Sequence, residues 1–226
     1  MGESVIRQWA PEMVAQSLGA DMYSEVLAQR AAAVCGLAPS VQYFDATQRI
    51  LIMPYIMGTP LEENWFELPQ RCLAMQQILA KLKEVPLPHE LTAMNPSVRI
   101  TQLMGEVALH YPERSLEFAS VVQEAQEKWQ PFSNLSLPLC LVHSDLNPKN
   151  ILVRMDGSLQ LLDWEYAHAG DPLEDTAALL AMTPGLQPAD INCFPCERLS
   201  ALLHLRKVVD LLWYALSPSW HRLEKG

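Results

Sequence analysis

The chain has 226 residues, with 16 Lys and Arg against 26 Asp and Glu, a formal net charge of −10, and half of its residues apolar. That composition excludes a disordered tail and supplies enough apolar side chains for a sizeable core, in one domain or one domain plus a small lobe. Phosphate-backbone binding needs Lys and Arg, so the acidic balance argues against nucleic acid as the main partner and mildly favours a cationic small molecule.

Ser4 to Trp9 reads as one strand. A helix is predicted from about Asp21 to Cys35, with Gly36 as its stop and Pro39 beyond it. Val41 to Phe44 and Arg49 to Tyr55 read as two strands around the polar turn Asp45-Ala46-Thr47-Gln48. After Gly58 the apolar spacing turns helical, from Leu61 to about Trp129, with interruptions near Pro86–Pro88 and Asn95–Pro96. Leu139 to Asp163 is strand-like again. From Asp171 onward the pattern is mostly helical, with a proline-rich loop around Pro184 to Pro195.

The five cysteines are odd in number and scattered, unlike a disulfide framework. Cys193 and Cys196 form a C-x-x-C without a second pair or a histidine pair nearby, so ordinary cysteines are expected rather than a zinc or redox centre. Met1 to Ile6 lacks the apolar core of a signal peptide and fails the myristoylation pattern at Ile6. The longest apolar run, Ile50 to Met57, is broken by Pro54 and is too short for a membrane span. The expectation is a cytoplasmic protein with no membrane partner.

The segment that carries chemistry runs from Leu141 to Asp163. Asp156-Gly157 reads as a two-residue hairpin turn between Ile151-Leu-Val and Leu159-Gln-Leu-Leu. Asn150 and Asp163 are equidistant from that turn, so the hairpin is predicted to set them opposite each other, with Cβ atoms about 5 Å apart. A carboxylate and an amide oxygen at that separation can share Mg²⁺, which leaves its other positions to water and phosphate. Asp145 stands in a loop restricted by Pro148, where a second carboxylate can accept a proton from a hydroxyl nucleophile. His143 ends the preceding strand and is grouped with Asp145 at the catalytic loop, chiefly as its brace.

The pattern His143-x-Asp145-x-x-x-x-Asn150, followed by Asp163, resembles the catalytic core of the protein-kinase-like superfamily. Leu161-Leu-Asp-Trp-Glu-Tyr-Ala167 and Gly170-Asp-Pro-Leu-Glu-Asp175 look like the choline/ethanolamine kinase and aminoglycoside phosphotransferase branch, close to its bacterial choline-kinase-like and thiamine-kinase-like members. The resemblance implies an α+β, two-lobed kinase-like fold, with a partial N-lobe over 1–58 and a mainly helical C-lobe over 59–226. It implies ATP and Mg²⁺ as cofactors, with Asp145 as the base and Asn150 and Asp163 on the metal. Leu51-Ile-Met-Pro-Tyr-Ile-Met-Gly58 looks like the hinge, where the carbonyl of Pro54 and the N–H of Ile56 recognise adenine and Met53 lines the back of its pocket. Glu25 matches the family's helix glutamate, and Arg7 matches the basic residue that pairs with it over the nucleotide phosphates. The match begins at about the third strand of the small lobe, and no glycine-rich phosphate loop precedes Arg7.

Two readings stay open at several positions. Glu165, Asp171, Glu174 and Asp175 are either a solvated face with a helix cap near Thr176, or in part a negative rim for a cationic substrate; Asp175 reads as a brace. Trp213 and Tyr214 have core spacing, yet C-terminal aromatics form a box around quaternary ammonium in choline kinases, and Trp213 is the candidate for that wall. Trp220 follows Pro218, and Trp164 either contributes or packs behind the metal loop. Lys149 reads as a solvated lysine and the role of Asn147 is open. The expected activity is γ-phosphoryl transfer to a small cationic alcohol, such as choline, ethanolamine or thiamine. The alternative is a catalytically weak pseudokinase that binds a nucleotide or partner. Oligomeric state is not readable.

Overall fold

The computed structural model of the chain describes residues 3–9, 20–62, 65–134 and 137–216. β-Branched residues favour strands at Ser4–Gln8 (β1) and Ile50–Pro54 (β3), which pair antiparallel with Arg7 opposite Leu51. Tyr43–Asp45 (β2) takes the other edge of β3, giving the order β1-β3-β2. Helix α1 (Met22–Val34) begins where the Asp21 carboxylate accepts the N–H groups of Tyr23 and Ser24. It ends at Cys35, and Gly36 follows at φ 73°, a left-handed turn that glycine makes without strain.

Helix α1 faces two cores. Val26 packs with Trp9 and Leu51, whereas Ala28 and Ala32 join a larger cluster containing Leu37, Met75, Leu161 and Trp164. Small side chains on that face let the helix approach closely. The Leu161 N–H donates to the carbonyl of Leu37 at 2.8 Å, and the Asp21 N–H to that of Glu165 at 3.2 Å. These contacts fix the small sheet and α1 against the segment that carries the catalytic motif.

The chain then crosses through Gly58–Pro60 (β4). Added to Gly58, a Cβ would lie 2.5 Å from the Val153 carbonyl oxygen, so glycine is required by close approach of two backbones. β4 pairs with Ile151–Arg154 (β6), which pairs with Leu159–Leu161 (β7). Cys140–Val142 (β5) pairs with His168–Gly170 (β8). Helices α2 (Pro69–Glu84), α3 (Pro96–His110) and α4 (Pro112–Trp129) all start on a proline at the first helical position, where the missing N–H costs nothing. The break at Tyr111–Pro112 goes beyond the two predicted interruptions. Proline disfavours helical backbone at the residue before it, and Tyr111 sits at φ −142°, ψ 64°. Helices α5 (Glu174–Met182) and α6 (Glu197–Leu216) follow, and α6 packs with α3 and α4 through Ile100, Val107, Phe118, Leu202 and Leu212.

The hairpin register differs from the prediction by one residue. Ile151 faces Leu161 and Val153 faces Leu159, so Asn150 lies level with Leu162 rather than Asp163. The Arg154 N–H donates to Ser158 O and the Gly157 N–H to Arg154 O, which closes a loop longer than two residues with Gly157 at φ 80°. A one-residue slip in an ideal strand would invert a side chain's face. Asp163 leaves the strand instead, at φ 66°, in the left-handed region.

Candidate active site

The loop that carries His143, Asp145 and Asn150 is anchored from behind by α5. The Asp175 carboxylate accepts the N–H groups of His143 and Ser144, each at 2.9 Å. Burial pushes Asp175 up, while those donors and His143 pull the other way. Ser144 takes a left-handed φ of 67°, which turns the chain toward Asp145. His143 is 0% exposed. Its Nδ1 accepts the Asp145 N–H at 3.3 Å, so Nε2 carries the proton and donates to the Leu162 carbonyl at 2.9 Å. Both ring nitrogens of His143 are committed to backbone, an arrangement that matches its reading as the brace of the loop. Trp164 is fully buried against the His143 ring and packs behind the loop.

Asp145 is held by three side chains. Its Oδ2 accepts Asn147 Nδ2 at 3.0 Å and Asn150 Nδ2 at 2.7 Å. Its Oδ1 faces Arg206 Nη2 at 3.0 Å, and Arg206 Nη1 donates to the Ser144 carbonyl. Asn150 also donates to the Asp145 carbonyl at 3.1 Å. Asn147, whose role the sequence left open, therefore orients this carboxylate. Lys149 donates only its backbone N–H here, to Asn147 Oδ1.

Beside this loop, Arg7 joins three carboxylates. Its Nη2 lies 2.8 Å from both Asp163 Oδ1 and Glu165 Oε2. Its Nε lies 2.9 Å from Glu25 Oε1, a charge contact without aligned hydrogen-bond geometry. Burial works against the Arg7 charge, but Glu25, Asp163 and Glu165 outweigh it and hold the guanidinium above its ordinary value. Burial pushes the Glu25 carboxyl up to about 7, against the pull of Arg7 and of the Trp9 indole N–H that donates to it. Burial, then the Asp163 charge, also push Glu165 up.

Among the hinge residues, Met53 packs against the Trp9–Val26–Leu51 core, with its sulfur 3.6 Å from Gln29 Nε2. Pro54 ends β3 opposite Ser4, and Ile56 is half-buried in the extended link to β4.

A cavity of about 290 Å³ opens next to Asp145. Its charged and aromatic wall comprises Asp145, Glu165, Glu174, Asp210, Arg206, Arg99, Tyr166, His168 and Trp213, over an apolar floor from α5 and α6. Trp213 is 37% exposed and meets Tyr166 edge-on, centroids 6.0 Å apart. Of the sequence-predicted substrate residues, Glu165 and Trp213 reach this wall and Asp171 does not. Asp171 is 6% exposed; its Oδ1 accepts the Leu173 N–H and its Oδ2 lies 3.5 Å from Arg198. It closes the turn into α5, the structural one of the two readings open at that position. Trp220 lies outside the described residues.

Five residues of that wall escaped sequence reasoning: Arg99, Tyr166, His168, Arg206 and Asp210. Arg206 and Asp210 are an i,i+4 ion pair at 2.9 Å, visible as spacing on α6. Their meeting with Asp145 is a long-range contact that no local signal carries. Burial pushes Asp210 up against the pull of Arg206, and burial followed by the Glu165 charge pushes the Tyr166 hydroxyl up.

A carboxylate loop beside an arginine-bridged acidic cluster, beneath a small sheet and one helix, defines a kinase-like phosphotransferase arrangement. The phosphotransferase enzyme family matches residues 12–192, and the chain belongs to that family. Among solved structures, choline kinase LicA from Streptococcus pneumoniae is similar over 99% of this chain and 79% of its own, at 18% identity and a TM-score of 0.77. A choline/ethanolamine kinase family protein from Mesorhizobium loti is similar over 95% of this chain and 74% of its own, at 20% identity and a TM-score of 0.74. A thermostable mutant of aminoglycoside phosphotransferase APH(4)-Ia, solved with ADP and hygromycin B, covers 88% of this chain and 77% of its own, at 17% identity and a TM-score of 0.60. These likenesses show a two-lobed kinase-like fold. Comparison with curated proteins finds no match.

Proposed function

We propose that the chain transfers the γ-phosphoryl group of ATP, with Mg²⁺, to the hydroxyl of a small alcohol seated in the cavity beside Asp145. The observation that carries this reading is the Asp145 carboxylate, which lines a 290 Å³ cavity while Asn150 and the Arg7–Glu25–Asp163 cluster flank it. Asp145 orients the acceptor hydroxyl and takes up its proton. His143, Asn147 and Arg206 fix the loop and the carboxylate. Arg7 steadies the nucleotide phosphates and Glu25 holds Arg7. Adenine is received at the hinge by Pro54 and Ile56, with Met53 behind.

The residues present fit Mg²⁺. The Asn150 amide nitrogen is spent on Asp145, which leaves its oxygen as the ligand atom, and Asp163 supplies a half-exposed carboxylate. That all-oxygen pair suits a hard cation that completes its shell with phosphate and water. When bound, the ion neutralises phosphate charge. Transfer then rests on positioning and fixed charge.

On the acceptor, the reading is a cationic alcohol of the choline, ethanolamine or thiamine kind. It is supported by the carboxylates of Glu165 and Asp210 and the ring of Trp213 on one wall. The same reading places the protein in the cytoplasm; no described helix is long and apolar enough to cross a membrane.

The test is Mg²⁺-dependent ADP release with choline, ethanolamine, thiamine and an aminoglycoside, using Asp163→Ala as the blank. Release stimulated by one acceptor and lost in the variant is expected. Nucleotide binding without release under any acceptor would favour a pseudokinase.

A further inference from the structure

The cavity wall holds two arginines in different states. Arg206 is paired twice, with Asp145 and with Asp210. Arg99, on α3, has no carboxylate within 4 Å among the described residues; its guanidinium carbon sits 4.5 Å from the centroid of the Tyr166 ring. The nearest acid on that side, Glu165, is held by Arg7 at 2.8 Å. Burial lowers the Arg99 pKa; the Tyr166 side chain, which also hydrogen-bonds it, pulls the other way, as does Glu165, the last and weakest influence on it. A guanidinium drawn out of water without a counter-charge is costly. It also presents a rigid fork of donors that matches a carboxylate or phosphate in two-point fashion.

The same contact bears on the cationic part of an acceptor. The face of Tyr166 that a ligand ammonium would need already carries a cation from the protein itself. Trp213 and the Asp210 carboxylate, which Arg206 pairs at 2.9 Å, face the cavity at the end where a ligand ammonium would sit. A cavity of 290 Å³ lies at the small end of ligand sites, so both groups must belong to one compact molecule.

We propose that the acceptor carries an oxyanion, a carboxylate or a phosphate, which Arg99 receives while the acceptor hydroxyl faces Asp145. Any ammonium of that molecule sits at the Asp210 and Trp213 end. The placement of the hydroxyl rests on the phosphotransfer reading above; the anion site itself does not. A simple amino alcohol leaves Arg99 unmatched, and its analogue with an added carboxylate does not.

The experiment uses matched pairs that differ by the oxyanion: ethanolamine with serine, aminopropanol with homoserine, and glycerol with glycerol phosphate. Each is titrated calorimetrically into the full chain without nucleotide. The oxyanion-bearing member of the preferred pair binds tighter by roughly tenfold or more. Arg99→Met, which keeps an apolar stem on Tyr166, collapses that ratio to near one, and Arg99→Lys retains part of it. The carboxylate and phosphate arms identify which oxyanion is used. Equal or tighter binding of all three members lacking the oxyanion overturns the proposal. So does a ratio that survives Arg99→Met, or an absence of binding by every oxyanion probe at millimolar concentration. ADP release is run alongside. Arg99-dependent binding with no release sinks the phosphotransfer reading alone, whereas release with amino alcohols and no oxyanion preference sinks the anion site alone.

Discussion

Arg206 on the last described helix holds Asp145 on the catalytic loop, with Nη2 3.0 Å from Oδ1, across 61 residues of sequence. The same guanidinium donates to the carbonyl of Ser144, so it fixes both the carboxylate and the left-handed turn that aims it. Asp145 thereby receives three side-chain donors, from Asn147, Asn150 and Arg206. A carboxylate so engaged is a well-fixed acceptor. That suits a transfer in which orientation and charge matter more than early proton removal.

Arg206→Met retains the apolar stem and removes the fork. We expect kcat to fall by roughly 10- to 100-fold, in line with the loss of one or two charge-assisted hydrogen bonds, with little change in nucleotide affinity. Arg206→Lys restores the charge without the second bond and recovers part of the loss. Steady-state kinetics with nucleotide titration check this; a variant with unchanged kcat and a raised nucleotide Kd contradicts it.

The proposed function assigns Asp145 and Asp163 to different steps. Asp145→Ala removes the group that meets the acceptor hydroxyl and should lower turnover by about 10²- to 10⁴-fold while Mg·ATP still binds. Asp163→Ala removes a metal carboxylate and one partner of Arg7, so binding of the metal–nucleotide complex weakens. Turnover mostly retained by Asp145→Ala overturns its assignment as the base.

Contiguous stretches were readable from the sequence and converging ones were not. Asp21 and Gly36 bracket α1 because a cap and a stop act within one turn. The catalytic loop is readable for the same reason: His143, Asp145 and Asn150 lie close together in sequence. Pro112 marks its own helix start, and only the density of helical spacing around it hid the break. The hairpin register depended on how Gly157 closes the turn, which the dipeptide Asp156-Gly157 does not determine alone. Sequence reasoning singles out Asp171 and passes over Asp210, because which acid pairs with Arg198 and which lines the cavity is decided by helices packing from far away in the chain.

Glu25 gives a pH signature. Its carboxyl is ordinary at 4.5 and is raised to about 7 in the folded chain, by burial first. Between those values the folded form holds a proton that the unfolded chain has released, so stability falls as pH rises through the window and levels above it. Glu25→Gln removes this titration. The difference in thermal midpoint, wild type minus variant, should therefore decline from about pH 5 to about pH 8. A difference that grows with pH over that range reverses the sign of the argument.

Asp175 tests whether the loop's anchor sets its chemistry. Both carboxylate oxygens accept backbone N–H groups, from His143 and from Ser144, inside a fully packed region. Asp175→Asn keeps the shape but turns one acceptor into a donor facing a donor, leaving a buried N–H without a partner. The expected loss is about 1–3 kcal/mol of stability, read as a lower midpoint in urea with an unchanged slope. Turnover should fall further than the remaining folded fraction accounts for, because Asp145 follows the turn that Asp175 holds. Asp175→Ala loses both acceptors and should be worse on each count. An Asn variant with normal turnover per folded molecule would mean that Asn147, Asn150 and Arg206 suffice to aim Asp145, and that α5 contributes stability without contributing alignment.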